Sequence, residues 1–248
     1  MAVAAAWALV LAAAAGWAAF HSKPTVRDQT PLSQGLRTMD QATAALLAAA
    51  RGPGTVPAVG GYVRTDAACR ITPVRAGVRY ERRLEFFTAP GAENGLLGQI
   101  ASRLPRSYQA HAAPLRADAG YFVAITGHSL GSGAVRVVVD TGCRAVDHPF
   151  TAEDATPDQA ARAPLEPVLA ALKLTDVRWH TYTVGCGGRT VTAEAAGGPA
   201  SLADALKATS GAPVVAERTV FAFHNGSVGV AVSTAGGAVT ATATTDCP

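Results

Sequence analysis

The chain has 248 residues, of which 49% are apolar and 16% charged, with a formal net charge of +3. So apolar a composition excludes a disordered tail protein, because there is enough nonpolar surface to build a core. The basic excess is small and no nucleic-acid-binding motif accompanies it, so no nucleic-acid partner is expected. A chain of this length holds one large domain or two small ones.

Residues 2–20 (AVAAAWALVLAAAAGWAAF) carry no charged or strongly polar side chain. As a helix they would reach roughly 28 Å, against a hydrocarbon thickness of about 30 Å. Trp7, Trp17 and Phe20 are placed to lie near the two interfaces. Eleven of these nineteen residues are alanine, so insertion is only weakly driven. We expect an uncleaved single-pass anchor; the alternative is a signal peptide cut near Ala18 or Ala19. Lys23 and Arg27 follow the stretch, which opposes a C-terminus outside the membrane. The expected location is nevertheless the cell membrane with the remainder extracytoplasmic, or secretion after cleavage. Residues 21–37 are polar, with Pro24, Pro31 and Gly35, and read as a juxtamembrane linker.

From Thr38 to Arg51 the sequence predicts a helix, with Thr38 as N-cap and Gly52-Pro53 as its stop. Residues 61–69 and 78–88 read as strands. Leu96, Ile100 and Leu104 recur every four residues and predict a second helix over 93–104. Strands are expected near 107–115, 120–126 and 133–142.

The second half repeats this order. Thr156-Pro-Asp-Gln-Ala-Ala mirrors Thr38-Met-Asp-Gln-Ala-Thr, with Pro157 suited to a helix first turn. Asp40 stands 29 residues before Cys69, and Asp158 stands 28 before Cys186. A strand over 178–186, another over 190–195 and a helix over 201–209 follow. Gly131–Cys143 then aligns without a gap on Ala235–Cys247. We therefore read an α+β chain made by tandem duplication of a small two-layer domain, preceded by the hydrophobic helix. Each domain would be an antiparallel sheet with two helices on one face. The expected units are 38–146 and 156–248, joined by 147–155.

The chain has four cysteines, widely spaced and without a Cys-x-x-Cys pair. That pattern does not read as a zinc or redox site, whereas an even number in an exported chain reads as disulfides. If each unit folds by itself, the pairs are Cys69–Cys143 and Cys186–Cys247.

Two features could carry chemistry. Gly127-His128-Ser129-Leu130-Gly131 resembles the nucleophile elbow of lipases and other α/β-hydrolases, and the resemblance implies a serine hydrolase using Ser129. That elbow needs a strand, a sharp turn and a helix. Here the downstream Ala134-Val-Arg-Val-Val-Val-Asp favours a strand. The repeat alignment instead places 127–130 in a hairpin turn about three residues longer than its counterpart. The second feature is a crowd of arginines, Arg64, Arg70, Arg75, Arg79, Arg82 and Arg83. Arg79, Arg82 and Arg83 are the candidate contacts for an anionic envelope component, although strand alternation would split them between faces. The six histidines show no ligand spacing, and His180 and His224 fall on predicted strands. No metal and no cofactor is expected. The function expected is a non-catalytic binding or structural role in the cell envelope, with an envelope polymer, lipid or another envelope protein as partner.

Overall fold

The computed structural model describes residues 2–21, 30–65, 69–72, 75–152, 155–210 and 212–245. Helix α1 (Ala2–His21) comes first. Among the described residues no helix is long and apolar enough to cross a membrane, so the fold adds no support to the expected anchor.

Helix α2 (Leu32–Ala50) begins upstream of the predicted cap. Thr38 is inside it, its hydroxyl donating to the Gln34 carbonyl at 3.0 Å. The helix start is held from across the chain: the Asp147 carboxylate accepts from the Ser33 amide at 3.1 Å and from its hydroxyl at 2.5 Å. A remote carboxylate at an exposed amide of the first turn does the work of an N-cap, which local sequence cannot reveal.

Next come β1 (Val56–Arg64), β2 (Arg70–Thr72), β3 (Arg75–Ala76) and β4 (Tyr80–Phe87). Helix α3 (Glu93–Arg103) is followed by a 3-10 turn (Arg106–Tyr108) and strands β5 (His111–Ala112), β6 (Leu115–Asp118), β7 (Ala124–Gly131) and β8 (Ala134–Asp140). The second half holds α4 (Gln159–Arg162), α5 (Glu166–Ala171), β9 (Arg178–Thr183), β10 (Arg189–Ala196) and α6 (Leu202–Leu206). It ends with β11 (Val215–Ala216), β12 (Val220–Asn225), β13 (Val228–Ala235) and β14 (Ala238–Thr245). Asp158, rather than Thr156, caps α4, accepting from the Ala161 amide at 2.8 Å.

The molecule is thus a mixed α+β protein with two antiparallel sheets of six strands each and a small β2–β3 ribbon. The first sheet has the order β1-β4-β8-β7-β6-β5. The second, taken from its β9 edge, runs β9-β10-β14-β13-β12-β11, which is the same order one half later. In both, a helix enters between the second and third strands of the sheet. Each sheet also ends on a two-residue edge strand, β5 or β11.

Alternation decides what each sheet face touches. Leu84, Phe86, Val135, Val137 and Val139 pack with Met39, Leu46, Leu96 and Ile100 from α2 and α3. Val191, Phe221, Val230 and Val232 pack with Leu165, Val168, Leu202 and Leu206 from the second half's helical segments. Burying one such aliphatic or aromatic side chain contributes about 1.5–3 kcal/mol. A third cluster, Val56, Phe87, Ala134, Val215, Ala222 and Ala231, draws on both halves and joins the sheets by their other faces. Thr190 with Thr244 and Thr192 with Thr242 add cross-strand hydroxyl pairs at 3.2 and 3.3 Å, all four residues buried.

The β7–β8 hairpin corrects the expected long turn. It turns on two residues, Ser132 and Gly133, just as β13–β14 turns on Gly236 and Gly237, and all four have positive φ. Gly133 is also hemmed in, since a Cβ there would meet the Thr88 carbonyl at 2.3 Å. The extra length is a bulge at Leu130, between the pairs Ser129↔Val135 and Gly131↔Ala134. A bulge adds one residue to a strand without opening the turn, so an alignment of sequence alone misplaces it.

Candidate ligand-binding site

Strand β4 sorts the expected arginine patch by alternation. Arg83 is exposed, and Arg82 beside it points the opposite way and is 0% exposed. Arg79 is engaged by its own acids: Nε donates to Asp140 Oδ1 at 2.9 Å, Nη2 to Asp140 Oδ2, and Glu81 lies 3.1 Å away. The hydrogen bond to Asp140 raises the Arg79 guanidinium above its ordinary pKa, against the effect of burial and with the charges of Asp140 and Glu81 helping. Arg79, Arg82 and Arg83 therefore form no common anion-binding surface. One is neutralised and one is inside the protein.

The inward arginine organises the junction between the halves. Arg82 donates to the Gly60 carbonyl at 3.0 Å and to the Thr183 carbonyl at 2.8 Å, and reaches Asp40 of α2 at 3.3 Å. Its guanidinium lies 4.8 Å from the centroid of the Tyr62 ring, and the Tyr62 hydroxyl donates to Asp40. Planar stacking with several in-plane donors is a geometry that lysine cannot copy. The end of β9 and the residue that follows it close over this group. Val184 joins the first core, and Tyr182 lies where a Cβ on Gly61 would be, 2.5 Å from its ring.

Ser129 is exposed on β7, and its Oγ accepts from the Gly131 amide at 3.1 Å. His128, its neighbour in sequence, is opposite Arg136 in the ladder. A strand follows the motif, so the strand–turn–helix geometry of a nucleophile elbow is not formed here. Cys69 and Cys143 are joined, with Cα atoms 5.5 Å apart. Cys186 is also disulfide-bonded, and Cys247, its expected partner, lies outside the described residues. His180 and His224 are on β9 and β12 as expected. Among the described residues no group of three or more His, Cys, Asp or Glu could hold a metal ion.

Between the halves lies a cavity of about 540 Å³. The end of α2 supplies Leu47, Ala50 and Arg51, and the approach to β1 supplies Pro53, Thr55 and Pro57. Val214, His224 and Thr245 line it from the second half. The volume falls in the range of small-molecule sites, and apolar walls with a few polar groups are their usual chemistry. His224 Nε2 lies 3.1 Å from the Thr55 carbonyl, which can only accept, so Nε2 carries the proton. Thr245 is already committed, accepting from the Arg189 amide at 2.7 Å and donating to its carbonyl at 3.1 Å. Sequence reasoning missed this site because its walls come from segments more than 150 residues apart, such as Leu47 and His224. No local pattern in either segment marks it.

No family model, curated protein or solved structure matches the chain, so its fold and site stand on their own geometry.

Proposed function

We propose that the chain is an extracytoplasmic, membrane-tethered and non-catalytic protein of the cell envelope that binds a small apolar molecule between two copies of one unit. The observation that carries the binding reading is the cavity shared by Leu47, Ala50, Pro57, Val214 and His224. Support for duplication comes from the matching strand orders, the matching helix insertions and the matching cysteine positions. On this reading the units are 38–146, extended back to Leu32 by α2, and 156–248, with 147–155 between them. The support for a tether is the uncharged stretch 2–20.

Non-covalent mass spectrometry of protein purified from membranes, together with solvent extraction, tests the binding reading directly. It should recover an apolar molecule of low mass at near-equal stoichiometry. The apolar anion 1-anilinonaphthalene-8-sulfonate serves as a probe for the cavity. Ala212→Trp, at an exposed lining position, should weaken its binding about tenfold by occupying the apolar space. Equal probe binding by both proteins, with no recovered molecule, would remove the cavity reading.

A further inference from the structure

Three consecutive residues in the β6–β7 turn, Gly120, Tyr121 and Phe122, have positive φ of 92°, 51° and 60°. The Val123 amide donates to the Gly120 carbonyl at 3.0 Å, which closes a four-residue turn around Tyr121 and Phe122. Positive φ at both central positions is what a type I′ turn requires, and Asn-Gly is the pair that meets this demand without strain. Two aromatic residues meet it badly. They are also the wrong side chains for a solvent-facing turn, yet Tyr121 is 59% and Phe122 47% exposed. Strain retained together with exposed aromatic surface points to a contact that the folded chain does not itself supply.

The location identifies the contact. Arg144, 1% exposed, donates to the Tyr121 carbonyl, to the Thr141 carbonyl at 2.6 Å and to the Thr30 carbonyl at 3.4 Å. One guanidinium thus clamps the turn beside Thr30, two residues before α2. Exposed Val146 is adjacent, since the Leu32 amide donates to the Ala145 carbonyl at 2.9 Å. Only residues 22–29 separate this point from the end of α1. Eight residues, fully extended, span at most about 30 Å, so the turn stays within about that reach of a surface that holds α1.

We propose that Tyr121 and Phe122 form a membrane-interface contact that seats the first unit on the lipid surface beside its tether; this rests on the membrane-tether reading above. Tyrosine and phenylalanine place apolar rings among headgroups and upper acyl chains, as the aromatic belts of membrane proteins do. The αL backbone pushes both side chains outward together, and Arg144 holds it in that form.

The test uses the full chain in vesicles of phosphatidylethanolamine and phosphatidylglycerol, with and without brominated acyl chains as short-range quenchers. Three single-tryptophan proteins are compared, each with the other native tryptophans changed to Phe: Trp17 retained, Phe122→Trp and Leu130→Trp. Leu130 is at the opposite end of β7 and exposed, so it reports the far side of the sheet. Brominated lipid should lower emission about twofold for Trp17 and for Phe122→Trp while leaving Leu130→Trp unchanged, as expected for interfacial residues. Quenching of Trp17 with none at position 122 overturns the turn contact and leaves the tether intact. Quenching at 122 without quenching of Trp17 upholds the contact and removes the tether. Absence of quenching at both overturns both. A second variant, Tyr121→Asn with Phe122→Gly, should raise the thermal midpoint by relieving the backbone, and should weaken vesicle binding of the chain severalfold. A raised midpoint with unchanged vesicle binding would also overturn the contact.

Discussion

Arg82 of the first sheet donates to the main-chain carbonyl of Thr183 in the second at 2.8 Å, across 101 residues of sequence and with its side chain removed from solvent. The same guanidinium satisfies the Gly60 carbonyl and approaches Asp40. It is a polar joint in the junction between the halves, as is the His224 contact with the Thr55 carbonyl. Arg82→Met should therefore cost about 2 kcal/mol, because it takes the guanidinium donor from the part-buried Gly60 and Thr183 carbonyls and the cation from Asp40. Urea unfolding of the oxidised protein checks this. Arg82→Lys should recover only part of the loss, since an ammonium cannot reach three acceptors in one plane. A loss below about 1 kcal/mol for the methionine variant would show that the joint contributes little beyond packing.

The cysteines yield a covalent prediction. Peptide mapping without reduction should recover Cys69 joined to Cys143 and Cys186 joined to Cys247, with no link between the two halves. Replacing Cys69 and Cys143 together by Ser opens a loop of 74 residues and should cost roughly 4 kcal/mol in the chain-entropy account. Free thiols, or a cross-pairing, would refute the arrangement.

Asp147 gives the fold a pH dependence. Its burial favours the protonated acid, but the Ser33 hydroxyl and amide and the His148 ring overcome that and hold the carboxyl well below the usual carboxylate range. A depressed folded-state pKa means stability that is fully present above the unfolded value near 3.8 and is lost as pH falls through the folded one. Asp147→Ala should cost about 1 kcal/mol at neutral pH, as loss of a helix cap does. The difference from the parent should shrink as the solution is acidified below that unfolded value. Equal differences at neutral and acid pH, measured by urea titration, would show that the carboxylate charge has no part in holding α2.

Much of the fold was legible in the sequence because its signals were local. Leu96 and Ile100 at helical spacing located α3, and the β-branched run from Ala134 to Asp140 located β8. The order of elements repeated at matching distances, and with it came the pairing of Cys69 with Cys143. What stayed hidden depends on partners remote in the chain. Asp147 starts α2 earlier than Thr38 could, and the Leu130 bulge turns an apparent loop into continuous strand. Arg82 looked like surface charge because alternation gives two faces and does not say which one the second half of the chain will cover. The cavity was hidden for the same reason: Leu47 and His224 meet only after both halves have folded.

The two-residue outer strands β5 and β11 bear on how the protein behaves at high local concentration. A sheet grows by offering an incoming chain a long row of unpaired amides and carbonyls. Here the last strand on one side of each sheet is too short to template another. The β1 edge strand of the first sheet is in turn overlaid by residues of the second half such as Tyr182 and Val184. At the β5 and β11 edges, copies of this chain crowded at a surface should thus resist zipping into extended β-ribbons, and association there will have to use side chains rather than backbone.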